Sequence, residues 1–334
     1  MDLVDLGTLE GGEISDAADL NERGTVVGSS EGRVEGAVFT RAVRWAAEAD
    51  RDPDETPAPA PTPLPTLRSD GRGNSEATAV DARGTAVGSA QDDDWEWRAV
   101  RWVDDETVEP LGSLGDGPTS SRAHGVDNRG TVVGHAAADG GDIVRAFRWT
   151  EAEGMHGLGT LRSDDEGRSA ATAAADDGSV VGYSETDDGP VHAFRWTERG
   201  GMTDLGALDG DDASAAFGAT PTAVVGRSLR SAEFASRTAT MWTDGEPVEL
   251  GTFRADNSGY SDAYDVACDV VVGESQVDAG VGHAFYWDGR LSDLGTLRAN
   301  GIGRSRASAV NASGVVVGQS GTDDDERHAV QWTL

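Results

Sequence analysis

The sequence predicts an all-β fold: a seven-bladed β-propeller of four-stranded antiparallel blades, with the N-terminal strand completing the last blade. Three observations carry that expectation. Seven tryptophans (Trp45, Trp102, Trp149, Trp196, Trp242, Trp287 and Trp332) recur at spacings of 57, 47, 47, 46, 45 and 45 residues. Each closes a short strand that follows a Val-Gly or Val-Val-Gly step. Gly, Asp and Asn punctuate every copy, so that it reads as four short strands. A period in the forties means one small β unit copied many times. Four strands per copy is a propeller blade, whereas a β-helix coil needs only about half that length.

The copy that starts at Leu158-Gly159-Thr160-Leu161 shows the elements in order. A polar loop, 162–168, leads to the Ala-rich segment Ser169–Ala175. Asp176-Asp177-Gly178 turns into Ser179–Ser184, an acidic loop covers 185–190, and His192–Thr197 follows. Glu198–Gly201 then turns into Met202–Leu208, which opens the next copy. Lettered from the channel outward, the strands of the second copy are A (around Ala77–Val80), B (Thr85–Ser89), C (Arg98–Trp102) and D (Val108–Leu114). Small side chains suit the crowded channel, and A is the strand rich in Ala, Ser and Thr. An Asx with Gly three positions on (Asn21/Gly24, Asp81/Gly84, Asp127/Gly130, Asn311/Gly314) reads as an A–B hairpin turn that needs positive φ.

Units five and six replace that turn with Gly218–Thr222 and Ala267-Cys268-Asp269, each one residue shorter. The first unit carries an insertion rich in Pro and acids, Asp50–Pro63, expected to be a semi-rigid surface loop between C and D. The chain opens on a D strand, Val4–Leu9, and finishes on a C strand, His328–Thr333. Pairing the two closes the ring and removes an open edge. Residues 1–334 are therefore expected to form one domain. Its blades fall approximately at 10–62, 63–114, 115–161, 162–208, 209–253, 254–297, and 298–334 plus 1–9.

There are 60 acids against 27 bases, a net charge of -33, and every base is arginine. At about 1 M salt the Debye length is roughly 3 Å, so acidic groups barely repel one another, and a carboxylate surface stays hydrated. Arginine in place of lysine removes a long apolar stem with a strongly hydrated head. The composition is that of a protein adapted to high salt, of the haloarchaeal type. The same charge repels phosphate backbones, so nucleic acid is not expected as a partner. Cys268 is the single cysteine, which leaves no intrachain disulfide. No run approaches 18 apolar residues, so no membrane span is expected. The opening residues contain neither a basic n-region nor an apolar h-region, which reads as cytoplasmic. A monomer is expected.

The recurring Asp-Leu-Gly-Thr-Leu, Asn-x-x-Gly-x-Val-Val-Gly and His-Ala-Phe-x-Trp elements together resemble the HAF repeat family, over nearly the whole chain. The triplet that names the family stands at His192-Ala193-Phe194 and His283-Ala284-Phe285. It is nearly kept at His328-Ala329-Val330, and Arg145-Ala146-Phe147 has Arg for His. The resemblance implies a repeat scaffold in an extracellular setting. It brings no activity, cofactor or site residue.

The tryptophans are expected in the core between neighbouring blades. The glycines after Val-Val (Gly28, Gly88, Gly134, Gly182, Gly226, Gly273 and Gly318) lack any P-loop context and are expected to allow close backbone or aromatic approach. His192, His283 and His328 share one position of strand C, where other copies hold Arg41, Arg98 and Arg145. Equivalent positions lie far apart around a ring, so these histidines read as hydrogen-bonding strand residues rather than a metal site. His124, His135 and His156 read as isolated loop histidines. The acidic B–C loops (Asp92–Asp94, Glu185 with Asp187–Asp188, Asp323–Glu326) lack EF-hand spacing and read as solvated surface. No nucleophile–base arrangement, cofactor or metal is indicated.

The most suggestive residues are arginines on the face shared by the D–A and B–C loops. Arg68, Arg162, Arg254 and Arg298 recur just after strand D, and Arg72, Arg122, Arg168 and Arg304 lie near the start of strand A. Pairing with aspartates would staple the loops. Alternatively, the ring could hold an anionic or sugar ligand, because Arg grips carboxylates bidentately. The expected function is a non-enzymatic binding scaffold for a protein or glycan partner met through this face. A propeller hydrolase or lyase acting on polysaccharide, or a structural surface protein, are the alternatives.

Overall fold

The computed structural model describes residues 2–34, 36–46, 60–115, 120–138, 143–230 and 236–334. Among them, 28 strands form seven four-stranded antiparallel sheets arranged as a ring, a seven-bladed β-propeller. The A strands are Ser15–Leu20, Ser75–Val80, Ser121–Val126, Ser169–Ala174, Ala213–Ala219, Ser261–Ala267 and Ser305–Val310, one per blade. Blades are numbered 1 to 7 in that order. The last blade takes its outer strand from Asp2–Gly7, which pairs with Arg327–Thr333 from Asp2↔Thr333 to Gly7↔Ala329. That strand begins two residues before the expected Val4, since Asp2 and Leu3 already pair with Thr333 and Trp332.

Outer strands are short; that of blade 2 is Val108–Pro110, with one further backbone bond from Leu111 to Ala99, and Leu111 and Leu114 are core contacts. The insertion expected over 50–63 lies outside the described residues through 59. Its last two residues, Thr62–Pro63, are the outer strand of blade 1, paired with Arg44 and Val43. Leu64 follows in the core, 2% exposed, and its burial fixes that strand.

Each core cluster lies between two blades. Trp45 packs against Ala309, Val317 and Ala329 of blade 7, and Trp242 against Val181 and Ala193 of blade 4. Trp332 packs on blade 6, against Val272 and Ala284. Serine supplies a second inter-blade tie. The Oγ of Ser15, Ser75, Ser121, Ser169, Ser214, Ser261 and Ser305 accepts the amide N–H of an Ala on strand C of the preceding blade, at 2.8–3.0 Å. The Ala329–Ser15 bond closes the ring. In the A–B turns, Gly24, Gly84, Gly130 and Gly314 have φ of +78° to +97°, the left-handed conformation required there. Blades 5 and 6 turn on Thr220–Thr222 and on Cys268-Asp269, one residue tighter.

Candidate functional site

The D–A and B–C loops do share one face. Arg68 bonds Asp70 at 2.7 Å, donates to the Asp92 and Asp93 carbonyls, and stacks over Trp95 with 3.9 Å to the ring centre. Arg162 pairs with Asp164, Arg254 with Asp256 and Ser258, and Arg298 with Asp325. Each of these four arginines lies over a glycine five residues on. A Cβ at Gly73, Gly167, Gly259 or Gly303 would meet the arginine stem at 2.4–2.8 Å. The Arg-x-x-x-x-Gly spacing is thus a loop device, legible in the sequence once the glycine is counted with the arginine. The acidic B–C loops supply the other half. Asp93, Asp187 and Asp323 each accept the backbone N–H of the residue after the arginine, at 2.9–3.1 Å.

The other four arginines differ among themselves. Arg122 is the second residue of strand A in blade 3, 3.8 Å from Glu76 and stacked over Trp97. Arg304 grips the buried Glu274 with two nitrogens, at 2.9 and 3.2 Å. Arg168 is exposed, with its amide bonded to Glu185, and Arg72 lies in the D–A loop of blade 2. None of the eight lines the channel bore.

The bore is built from a feature that the sequence did not disclose. Every A strand carries a β-bulge at one position, between the residues paired with the B-strand Gly and with the Val before it. The extra residue turns into the channel. The bulge residues are Ala18, Thr78, His124, Thr172, Phe217, Tyr264 and Ser308, and together they ring the bore. Phe217 and Tyr264 are neighbours, with ring centroids 5.8 Å apart.

Two residues before each bulge, toward the D–A face, stand Asp16, Glu76, Arg122, Ala170, Ala215, Asp262 and Arg306. Five of the seven are charged, and they pair across blades. Arg306 reaches Asp16 at 3.2 Å, Arg122 reaches Glu76, and Asp262, fully buried, takes both Arg227 at 3.3 Å and Arg237 at 2.7 Å. Arg227 also stacks over Phe217 and Arg306 over Tyr264. Three buried polar atoms at this mouth, Arg227 Nε, Arg306 Nε and Gln319 Oε1, have no hydrogen-bond partner, and neither has Ser308 Oγ in the bore.

Two carboxyls lie deeper in the channel, Asp19 and Asp265, each one residue past its bulge. Each accepts a backbone N–H from the next blade, Val80 to Asp19 and Val310 to Asp265. Burial pushes Asp19 up to about 7, with Asp265 adding repulsion, and burial pushes Asp265 up to about 6. A folded-state pKa raised above its unfolded value means that the native state holds the proton longer. Stability therefore falls as pH rises from about 4 to 7, and the loss is complete above that. Asp19→Asn is expected to flatten the fall in melting temperature between pH 5.5 and pH 8, whatever constant offset it brings. An unchanged slope counts against this.

The histidines read as loop residues lie on strands. His124 and His135 face each other on A and B of blade 3, with Nε2 and Nδ1 2.9 Å apart, and His156 is on the outer strand Gly154–Gly157. Burial, then repulsion from His135 and Arg122, pushes His124 down to about 3. The strand-C histidines each bond an aspartate of the outer strand: His192 to Asp204, His283 to Asp293 and His328 to Asp5, at 2.7–2.8 Å. That aspartate also accepts the amide N–H of the glycine two residues on. Asp-Leu-Gly and His-Ala-Phe are therefore two halves of one contact. Where Arg41, Arg98 or Arg145 replaces the histidine, Pro63, Pro110 or Gly157 replaces the aspartate. Among the described residues, no group of three or more His, Cys, Asp or Glu converges to hold a metal.

No protein-family model and no curated protein sequence matches the chain. In fold, it is similar to a puromycin hydrolase complexed with PGG (TM-score 0.55, 15% identity, covering 96% of this chain and 52% of that one). It is similarly close to a puromycin-hydrolyzing peptidase of Mycobacterium tuberculosis (0.55, 13%, covering 97% and 52%). It also resembles the β-propeller domain of the Trilobed protease from Pyrococcus furiosus (0.52, 8%, covering 92% and 89%). The chain spans about half the length of the two puromycin-cleaving enzymes, and identities this low carry the fold alone.

Proposed function

We propose that this chain is a non-enzymatic binding propeller that holds a glycan or protein partner at the channel mouth on the D–A/B–C face. One observation carries the reading. Arg227 and Arg306, each with about a third of its side chain exposed, flank the Phe217–Tyr264 pair at one mouth of the channel. A concave site with apolar walls and a few convergent polar groups is the usual form of a ligand site. The absence of catalytic work is supported by how the channel's titratable groups are used. His124 is paired with His135, and Asp19 and Asp265 hold amides of the next blade.

Within this reading, Arg68, Arg162, Arg254 and Arg298 shape the rim, while Arg122 and Arg304 stand where a partner could meet them. Ser308→Tyr tests it. The change plugs the bore without breaking a bond, because Ser308 Oγ has no protein partner. A glycan and pull-down screen in about 3 M salt supplies the partner, at a salt concentration where acidic surfaces repel little. The plugged variant is expected to lose that partner by tenfold or more while melting as before. Undiminished binding by a folded Ser308→Tyr protein would move the site away from the channel.

A further inference from the structure

The charged ring at the mouth is broken in one place, and a cavity opens there. Asp16, Glu76, Arg122, Asp262 and Arg306 fill the position two residues before the bulge in five blades, but blades 4 and 5 have Ala170 and Ala215. Between these two blades lies a notch of about 500 Å³. Ala213 and Ala215 line it, Tyr183 and Phe217 stand on its walls, and Arg227 is at its edge. Tyr183 is 36% exposed, on strand B of blade 4. The corresponding positions hold Ser29, Ser89, His135, Arg227, Glu274 and Gln319 in the other blades, so this tyrosine is peculiar to the notch.

Asp262 is shared by Arg227 and Arg237, so two guanidiniums meet one carboxylate. The Arg227 side chain is 36% exposed at the edge of the notch. An apolar aromatic-walled notch with a partly exposed guanidinium at its edge fits a ring that has a C–H face to lay on the aromatics and a carboxylate to meet the arginine. The notch is open to solvent on one side, which suits a ring bearing hydroxyls on its far face.

We infer that the notch between blades 4 and 5 binds a uronic acid residue, a pyranose carrying a carboxylate, as the acidic-sugar subsite of the mouth. This rests on the channel-mouth reading above and narrows it to one ligand class and one place. Methyl glucuronide, methyl glucoside and benzoate are the probes, titrated calorimetrically in the salt that keeps the protein folded. The glucuronide is expected to bind about tenfold more tightly than the glucoside, the worth of one charge-assisted hydrogen bond. Tyr183→Ala and Arg227→Met are each expected to lower glucuronide affinity about tenfold. Tyr183→Ala should leave the melting temperature unchanged, and Asp262 keeps Arg237 when Arg227 is replaced.

Equal binding of the two glycosides, tighter binding of benzoate than of either, or an unaffected Tyr183→Ala protein overturns the proposal. A screened partner lost in Ser308→Tyr but retained in Tyr183→Ala leaves the channel-mouth reading standing and removes the acidic-sugar subsite. A partner that Ser308→Tyr retains removes the channel-mouth reading on its own account.

Discussion

Removing residues 2–7 is expected to unfold the whole propeller, not merely to fray its last blade. Leu6 is fully buried in the cluster that joins blades 7 and 1, and its burial stabilises by about 2–3 kcal/mol. Its carbonyl accepts the indole N–H of Trp45 at 2.9 Å, so the deletion leaves a buried donor without a partner, at about 1–3 kcal/mol. Leu3 packs on the opposite cluster with Trp332, and Asp5 holds His328. Loss of the strand also bares the edge of Arg327–Thr333, a template for aggregation. The sum exceeds about 5 kcal/mol, comparable to the whole margin of a typical domain. Circular dichroism and tryptophan fluorescence in high salt should show no cooperative transition, and a peptide spanning residues 1–9 should restore one. A truncated protein that melts cooperatively near the full-length temperature would show that the ring does not depend on this strand.

The ring itself was legible because its signal repeats. The period of the tryptophans, the Asx-Gly turns and the mismatch between a D-type start and a C-type end all survive in a single sequence. The inter-blade serines were equally periodic, but serine in a strand is unremarkable until its partner amide is seen. The Arg-x-x-x-x-Gly spacing was visible by half: the arginines stood out, and the glycines that make room for them did not. The channel mouth was illegible for a different reason. Its residues occupy equivalent positions but vary from blade to blade, so periodicity averages them away. Ala18, Thr78, His124, Thr172, Phe217, Tyr264 and Ser308 share a bulge, and only Thr78 and Thr172 share a residue type as well. Arg227 and Asp262 come from adjacent blades, 35 residues apart. The regular positions build the scaffold, and the irregular ones build whatever it holds.

The bulge makes a second large effect predictable. Gly182 is expected to tolerate no side chain, and Gly182→Ala should cost about 3 kcal/mol or more, the upper range for overpacking a rigid core. Its backbone is ordinary extended strand, so conformational freedom is not the reason. A Cβ there would lie 2.0 Å from the Ala170 carbonyl oxygen and 2.9 Å from the Ala171 Cα, both backbone atoms of the inner strand. A Cβ at each of the other six glycines of the Val-Gly steps would meet the equivalent carbonyl oxygen of its own inner strand at 1.9–2.0 Å. The inner strand cannot retreat, because Ala171 is fully buried and Ser169 is bonded to Ala146 of blade 3. Gly115→Ala is the control, at a glycine with no described residue within 4 Å and no positive φ, and it should be neutral. Chemical denaturation of the two variants decides the matter; a Gly182→Ala protein as stable as Gly115→Ala would refute the steric account. The same register shift that closes strand B to a side chain at Gly182 sends Thr172 into the bore. Relieving the clash by moving the inner strand would therefore also displace a channel-lining residue. Gly182→Ala, where it folds at all, should disturb partner binding as well as stability.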